Sequence, residues 1–274
     1  MPELPEVETT RKGIAPIVGG AVLREVVVRN AQFRWPVPAN LAELVCGRRI
    51  ESVSRRAKYL LLNADAGSVI IHLGMSGSLR FVEPATPAEK HDHIDLLFEA
   101  GQQHKVLRFR DPRRFGCLLW QPAPVEAHPL LADLGPEPLS DAFSAESLQQ
   151  ALSGRSAAIK LAIMDSRVVV GVGNIYASEA LFRARILPGR PAGSLGRDEC
   201  ARLCEAIRQT LRDAIVAGGS TLRDFHQADG APGYFQQQYN VYGRDQAPCH
   251  QCGSLIACTR HGQRSTFWCP YCQV

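Results

Sequence analysis

The chain has 274 residues, of which 45% are hydrophobic and 21% charged. That length favours two domains, and the composition excludes disordered, collagen-like and disulfide-stapled miniature folds. No apolar run approaches the roughly 18 residues of a membrane span. Three glutamates precede the first base, Arg11, which is the wrong polarity for a signal or transit peptide, so a cytoplasmic chain is expected. Net charge is only +4, yet 26 of the 31 cations are Arg. Arg suits bidentate phosphate contact, which makes a polyanionic partner plausible; a compositional habit is the other reading.

Pro5 to Ile14 carries acids in its first turn and bases in its last, which predicts a short leading helix with Pro5 at its first position. From about residue 22 to 120 come short β-rich runs, among them Val22 to Val28, Ser68 to Leu73, His93 to Phe98 and Lys105 to Phe109. They predict a β-sandwich or barrel-like domain. Trp120 to Ser140 holds five prolines and no periodicity, so the domain boundary is placed there. Beyond it, Ala145 to Leu152, Asn174 to Ala184 and Arg197 to Ala217 space apolar residues three and four apart, predicting a helical second domain.

The chain ends in Cys249-x2-Cys252-x16-Cys269-x2-Cys272. Two Cys-x-x-Cys turns on a hairpin aim four thiolates at one ion, the donor set of a closed, structural Zn2+ site. All four positions are filled, so the metal is expected to fold the hairpin and to catalyse nothing. Cys200, Cys204 and Cys258 are read as small buried hydrophobes. From Gln246 to Val274 there is no acid, while Arg260, His261, Arg264 and Thr266 lie between the Cys pairs, the pattern of a phosphate-binding wedge or of a solvated basic surface.

Other motifs are weaker alone. Met1 before Pro2 is a favourable context for Met removal, which would leave a secondary amine able to attack an aldehyde-like sugar carbon, with Glu3 the nearest acid or base. The alternative is a stiffened chain end with glutamates that favour a helix start. Gly171-Val172-Gly173-Asn174 opens a helix and offers N–H groups and an amide to one phosphate, or simply caps the helix. Asp111-Pro112-Arg113-Arg114-Phe115-Gly116 and His72-Leu73-Gly74-Met75-Ser76-Gly77 read as a wedge for a base stack or as ordinary turns. His91-Asp92-His93 lacks a third metal ligand at recognised spacing and is read as phosphate contact or exposed surface.

Together with Arg56-Ala57-Lys58-Tyr59-Leu60 and the opening Pro2-Glu3-Leu4-Pro5-Glu6-Val7-Glu8, these motifs resemble the formamidopyrimidine-DNA glycosylase family over nearly the whole chain. The resemblance implies an α+β fold: a β-sandwich-like domain with its leading helix (1–130), a helix–two-turn–helix domain (131–235) and a zinc-finger hairpin (236–274). It implies a monomeric enzyme with no membrane contact that flips an oxidised purine from duplex DNA, cuts its glycosidic bond and breaks the strand by β- and δ-elimination. Pro2 corresponds to the Schiff-base nucleophile, Glu3 to the proton donor for sugar-ring opening, Lys58 to the proton donor of β-elimination and Glu6 to a supporting acid. Arg264 corresponds to the δ-elimination donor, although a guanidinium with a pKa above about 12 suits a phosphate clamp better. Met75, Arg113 and Phe115 correspond to the void-filling wedge, and His91, Arg113, Arg155, Lys160 and Asn174 to DNA contacts. Arg155 stands where Lys is the family's expected residue. Gln227 to Gln238 resembles the loop that covers the everted base.

Two rivals stand beside this reading. An endonuclease VIII-like enzyme has the same fold but acts on oxidised pyrimidines; Leu4 and the Met75, Arg113, Phe115 set favour the purine enzyme. A non-catalytic zinc-hairpin protein predicts binding without strand cleavage. DNA is expected in the cleft between the two domains.

Overall fold

Helix α1 (Leu4–Val18) begins with a reciprocal capping box, in which the Glu3 N–H donates to Glu6 Oε2 at 2.8 Å. Pro5 lies in its first turn, where a missing N–H leaves no ladder bond unmade. The helix runs past the expected end at Ile14 and through Pro16. Pro16 is on the exposed face within the last turn, and the Gly19 N–H closes that turn on the Ala15 carbonyl. The computed structural model describes residues 2–220 and 239–274; Met1 and the predicted 227–238 loop lie outside the described residues.

Two antiparallel four-stranded sheets and a short helix, α2 (Leu41–Val45), follow. One has the order β1 (Val22–Val28), β6 (Asp92–Ala100), β7 (Gln103–Arg110), β5 (Ser78–Val82); the other has β2 (Ser52–Arg56), β3 (Tyr59–Ala64), β4 (Gly67–His72), β8 (Cys117–Pro122). Period-2 alternation turns Leu60, Leu62, Val69 and Ile71 of one sheet and Leu96, Phe98, Leu107 and Phe109 of the other into a single core, which Val7, Ile14 and Val18 of α1 join. Each such burial contributes about 1.5–3 kcal/mol, so this sandwich is a stiff frame for the turns at its ends. Pro122, counted with the proline-rich stretch, closes β8 instead, an edge strand where proline is tolerated.

Two short crossovers join the sheets. Residues 73–77 carry the chain from β4 to β5, and residues 111–116 carry it from β7 to β8, each passing from one sheet to the other. Their ends are strand neighbours, since His72 pairs with Cys117 and Ser78 with Arg110.

The described residues divide into two compact units. The first comprises the chain to Ala132 together with Ala217 to Ser220; the second comprises Asp133 to Val216 and the chain from Tyr239 onward. The second contains α3 (Ala145–Leu152), α4 (Ile159–Ile163), α5 (Asn174–Ala184) and α6 (Arg197–Val216), with the hairpin β9 (Ala257–His261) and β10 (Arg264–Trp268). Phe182 of α5 packs with Val241, Ile256, Cys249 and Cys269, so the hairpin shares a core with the helices. Cys200 and Cys204 are buried as expected, but Cys258 is exposed. Among the described residues no helix is long and apolar enough to cross a membrane.

Candidate functional site

Pro2 and Glu3 are buried at the start of α1. Glu6, fully buried, receives the Glu3 N–H on Oε2 and the Ser220 N–H on Oε1 at 2.8 Å. Gly219, at φ +82°, lets that segment approach, because a Cβ there would lie 3.0 Å from Glu6 Oε1.

Lys58 sits on the two-residue turn between β2 and β3, after Ala57 in the left-handed region at φ +54°. Such a turn matches strand twist but costs a non-glycine residue conformational energy. Arg55 holds it, donating from Nη1 to the Ala57 carbonyl at 2.8 Å and from Nε to Glu8 Oε2 at 3.1 Å. Burial would push the Glu8 carboxyl up, but hydrogen bonds and charge from Arg11 and Arg55 outweigh it and hold it below the ordinary range. Beside this turn the rings of Tyr59 and His72 are 4.8 Å apart. Burial, then the charges of Lys58 and Arg34, push the His72 imidazole down to about 4. It is therefore neutral at pH 7, and its Nδ1 accepts the Gly74 N–H at 2.9 Å.

The turns that carry Met75 and the pair Arg113 and Phe115 are joined through Asp111, which is 0% exposed. The Asp111 carboxylate accepts from Ser76 Oγ at 2.7 Å, Arg113 N–H at 3.3 Å and Gly116 N–H at 2.9 Å. Its own N–H donates to the His91 carbonyl, and its carbonyl accepts from the Arg114 N–H and lies 3.0 Å from His93 Nε2. Arg114 is held at φ +57°, so Arg113 and Phe115 flank a sharp turn. The Arg113 guanidinium lies 4.9 Å from the centre of the Phe115 ring, which is 44% exposed. Gln32, Arg34, Arg113, Arg114 and Phe115 line a 430 Å³ hollow. Three cations around an exposed ring suit a nucleic acid, which offers phosphate and π-face together.

His91-Asp92-His93 holds no metal group; the only such cluster among the described residues is the four cysteines. Asp92 is instead occupied by Arg80, Arg108 and Arg110. Arg108, 2% exposed, grips Asp95 with two bonds of 2.8 and 2.9 Å and takes the carbonyls of Thr86 and Pro87. It thereby fixes the segment that leads to His91.

In the second unit, Asn174 opens α5, and its partly buried Oδ1 has no hydrogen-bond partner among the described residues. Arg155 is half-buried, with Nε on the Ala151 carbonyl and Nη1 on Asp165 at 3.1 Å. Arg264 is exposed at the tip of the β9–β10 hairpin.

Lys160, expected at a phosphate, is instead fully buried, which corrects that reading: its ammonium donates to the Ser265 carbonyl at 2.8 Å and Thr266 Oγ1 at 2.9 Å. The Thr266 hydroxyl also lies 3.0 Å from His261 Nδ1. The positive charge of Lys160 is used inside the protein to anchor the hairpin.

The thiol sulfurs of Cys249, Cys252, Cys269 and Cys272 all lie within 4.8 Å of one another, with Cys249–Cys272 at 4.0 Å and Cys252–Cys269 at 3.5 Å. Corners of a tetrahedron with arms of about 2.3 Å are about 3.8 Å apart, so the group fits Zn2+. The Gln251 and Cys272 N–H groups point at Cys249 and Cys269 Sγ at 3.4 Å, as donors to thiolate do.

Sequence reasoning assigned nothing to Ser76, Arg55, Arg108 or Glu179. Glu179, 1% exposed on α5, accepts from the N–H groups of Asn240, Val241 and Tyr242 and from Asn240 Nδ2, and so ties the hairpin's entry to that helix. A lone acid within the apolar run Ile175 to Phe182 was the available signal.

Residues 1–118 match the formamidopyrimidine-DNA glycosylase N-terminal domain, 134–226 the H2TH domain of the same enzymes, and 247–274 the zinc finger found in FPG and IleRS. The chain belongs to the formamidopyrimidine-DNA glycosylase family. The enzyme of that name from Methylococcus capsulatus is 57% identical over 100% of both chains. The crystal structure of the Thermus thermophilus MutM (Fpg) protein is similar with a TM-score of 0.88 at 42% identity, covering 99% of this chain and 98% of that one. A Lactococcus lactis FPG mutant solved with DNA containing Fapy-dG gives 0.90 at 30% identity, covering 99% of each. As a member of this formamidopyrimidine-DNA glycosylase family, the protein is a DNA glycosylase and abasic-site lyase of base excision repair, acts on oxidised purines and carries one structural zinc. The α+β architecture with sheets, H2TH helices and zinc hairpin is the one expected from the sequence.

Proposed function

We propose that Pro2, freed by removal of Met1, is the nucleophile that excises 8-oxoguanine and formamidopyrimidines from duplex DNA. The observation that carries this reading is where Pro2 stands, buried and directly before the Glu3–Glu6 capping box. The partial positive charge of a helix N-terminus disfavours a protonated ammonium there, which keeps the amine nucleophilic.

In this reading the amine nitrogen bonds to sugar C1′ as the bond from C1′ to the base breaks, and the base leaves with a proton. Glu3 protonates the sugar ring oxygen as the ring opens, and the amine loses its proton to give an iminium. That iminium has no N–H to lose, so it persists as an electron sink. Loss of a C2′ proton then expels the 3′ phosphate, and loss of a C4′ proton expels the 5′ phosphate. Lys58 moves the proton for the first elimination. Arg264 clamps phosphate during the second.

C1′ is hidden inside a base stack, so Met75, Arg113 and Phe115 fill the space the everted nucleotide leaves. His91, Asn174 and Arg155 take phosphates; the place of Asn174 at a helix start supports this, as does Arg155 Nη2, which makes no hydrogen bond among the described residues. The reading takes the enzyme to be a monomer acting in the bacterial cytoplasm on nucleoid DNA, as the family resemblance implies.

The test is borohydride trapping with duplexes containing 8-oxoguanine opposite cytosine or an oxidised pyrimidine, followed by peptide mapping. The expected result is an adduct at Pro2 that forms faster with 8-oxoguanine. An adduct at Lys58, or none, overturns the mechanism, and faster trapping on the pyrimidine overturns the lesion class.

A further inference from the structure

The two crossovers run side by side, and nothing in the sheet ladders bonds their midpoints. They begin and end as strand partners at His72–Cys117 and Ser78–Arg110, but between those pairs each leaves its sheet. Turns that exist only to change sheets need no side-chain bridge. Here there is one. Ser76, 3% exposed, donates to Asp111 Oδ1 at 2.7 Å and accepts the Arg113 N–H on the same hydroxyl at 3.1 Å. The second carboxylate oxygen takes the Gly116 N–H, so Asp111 holds its own turn at both Arg113 and Gly116 while it holds the other turn at Ser76. Backbones are also in contact: Gly74, at φ +62°, leaves room where a Cβ would lie 2.4 Å from Gly116 N.

The bonds of the bridge fall at or beside the wedge residues. Ser76 follows Met75, the Arg113 N–H is a donor to the bridge, and Gly116 follows Phe115. Forcing a base step apart pushes back on whatever is inserted, and turns tethered only at their ends yield to that load by spreading. A buried, charge-assisted bridge between them resists spreading, because opening it would strand a carboxylate and a hydroxyl away from water.

We propose that Ser76 and Asp111 are positioning residues that lock the Met75 turn to the Arg113–Phe115 turn, so that the three side chains enter the duplex as one rigid wedge. This rests on the wedge reading given above. The lock acts on base eversion and not on Schiff-base chemistry, and that difference makes it testable.

The experiment uses full-length, zinc-loaded protein with two substrates: a duplex with 8-oxoguanine opposite cytosine and a neighbouring 2-aminopurine, and a single strand carrying a preformed abasic site. Ser76→Ala is expected to slow both the 2-aminopurine fluorescence rise and single-turnover base release by about tenfold, while borohydride trapping on the single-stranded abasic site stays within about twofold. Asp111→Asn, which keeps the shape but alters two acceptor contacts, is expected to follow the same split more strongly. A Ser76→Ala protein with an unchanged fluorescence rise, or one equally slow on both substrates, overturns the lock. Met75→Ala and Phe115→Ala separate the two ideas. If they slow eversion and Ser76→Ala does not, the lock alone fails; if they leave eversion unchanged, the wedge reading fails and takes the lock with it.

Discussion

Arg55 joins Glu8 of α1 to the turn that carries Lys58, with one guanidinium nitrogen 3.1 Å from the Glu8 carboxylate and another 2.8 Å from the Ala57 carbonyl. Ala57 is left-handed, so this turn depends on a partner outside itself. Arg55→Ala should therefore slow β-elimination on a preformed abasic site by about tenfold through misplacement of Lys58, with Arg55→Lys recovering only part because it lacks the fork. Glu8→Ala, which removes the carboxylate that Arg11 and Arg55 share, should also cost about 1–3 kcal/mol in urea unfolding. Unchanged lyase rates in both variants would show that the turn holds itself.

The hairpin separates two cations that look alike in sequence. Arg264 is exposed and Lys160 is enclosed. Arg264→Ala should lower the slope of log affinity against log salt by about 1, as loss of one phosphate contact does. Lys160→Ala should leave the slope unchanged and lower stability by about 2–4 kcal/mol, since Thr266 and Ser265 lose their donor and a cavity remains. Binding isotherms across salt, with a thermal melt for each variant, read both.

Zinc is expected at one equivalent per chain by elemental analysis. Cys269, at 0% exposure, lies in the core with Phe182 and Ile256, so Cys269→Ser should release the metal and loosen the hairpin together. DNA affinity should then fall by about tenfold or more, because Arg264 loses its platform. Retained zinc with full affinity would contradict the placement of the metal.

Stability should fall on mild acidification. The folded His72 titrates near 4, against an ordinary value of about 6.5 in the unfolded chain. Between those values the unfolded state binds the proton and the folded state does not, so the contribution is full above about pH 6.5 and is lost as pH drops toward about 4. Burial shifts His93, His128 and His261 the same way. Urea midpoints measured from pH 7 to pH 4.5 should drop more steeply for the wild type than for His72→Gln. Parallel curves would mean that His72 is protonated in the fold without penalty.

The four cysteines were legible because their chemistry is local: two short turns carry all four ligands, and spacing alone aims them. The helices α3 and α5 were legible because a 3.6-residue period and helix-end residues are also local. Lys160 was not. Its neighbours in sequence offer an ordinary basic residue, and only the approach of Ser265 and Thr266, more than 100 residues away, decides that the ammonium turns inward. Cys258 failed similarly, since which face of a ribbon is covered depends on what packs against it.

By itself, then, the sequence determined the residue types and the elements: a helix opened by Pro2 to Glu6, a run of strands, a helical second half and a zinc hairpin. Each of these follows from interactions spanning a few residues. Tertiary structure alone decided that Asp111 ties the Ser76 turn to its own turn at Arg113 and Gly116, and that Arg55 and Glu8 hold the turn of Lys58. Those are hydrogen bonds between crossovers and elements far apart in the chain. Their geometry exists only after the two sheets have closed on their shared core, because burial takes water away from these polar groups and leaves them to the partners that the fold brings up.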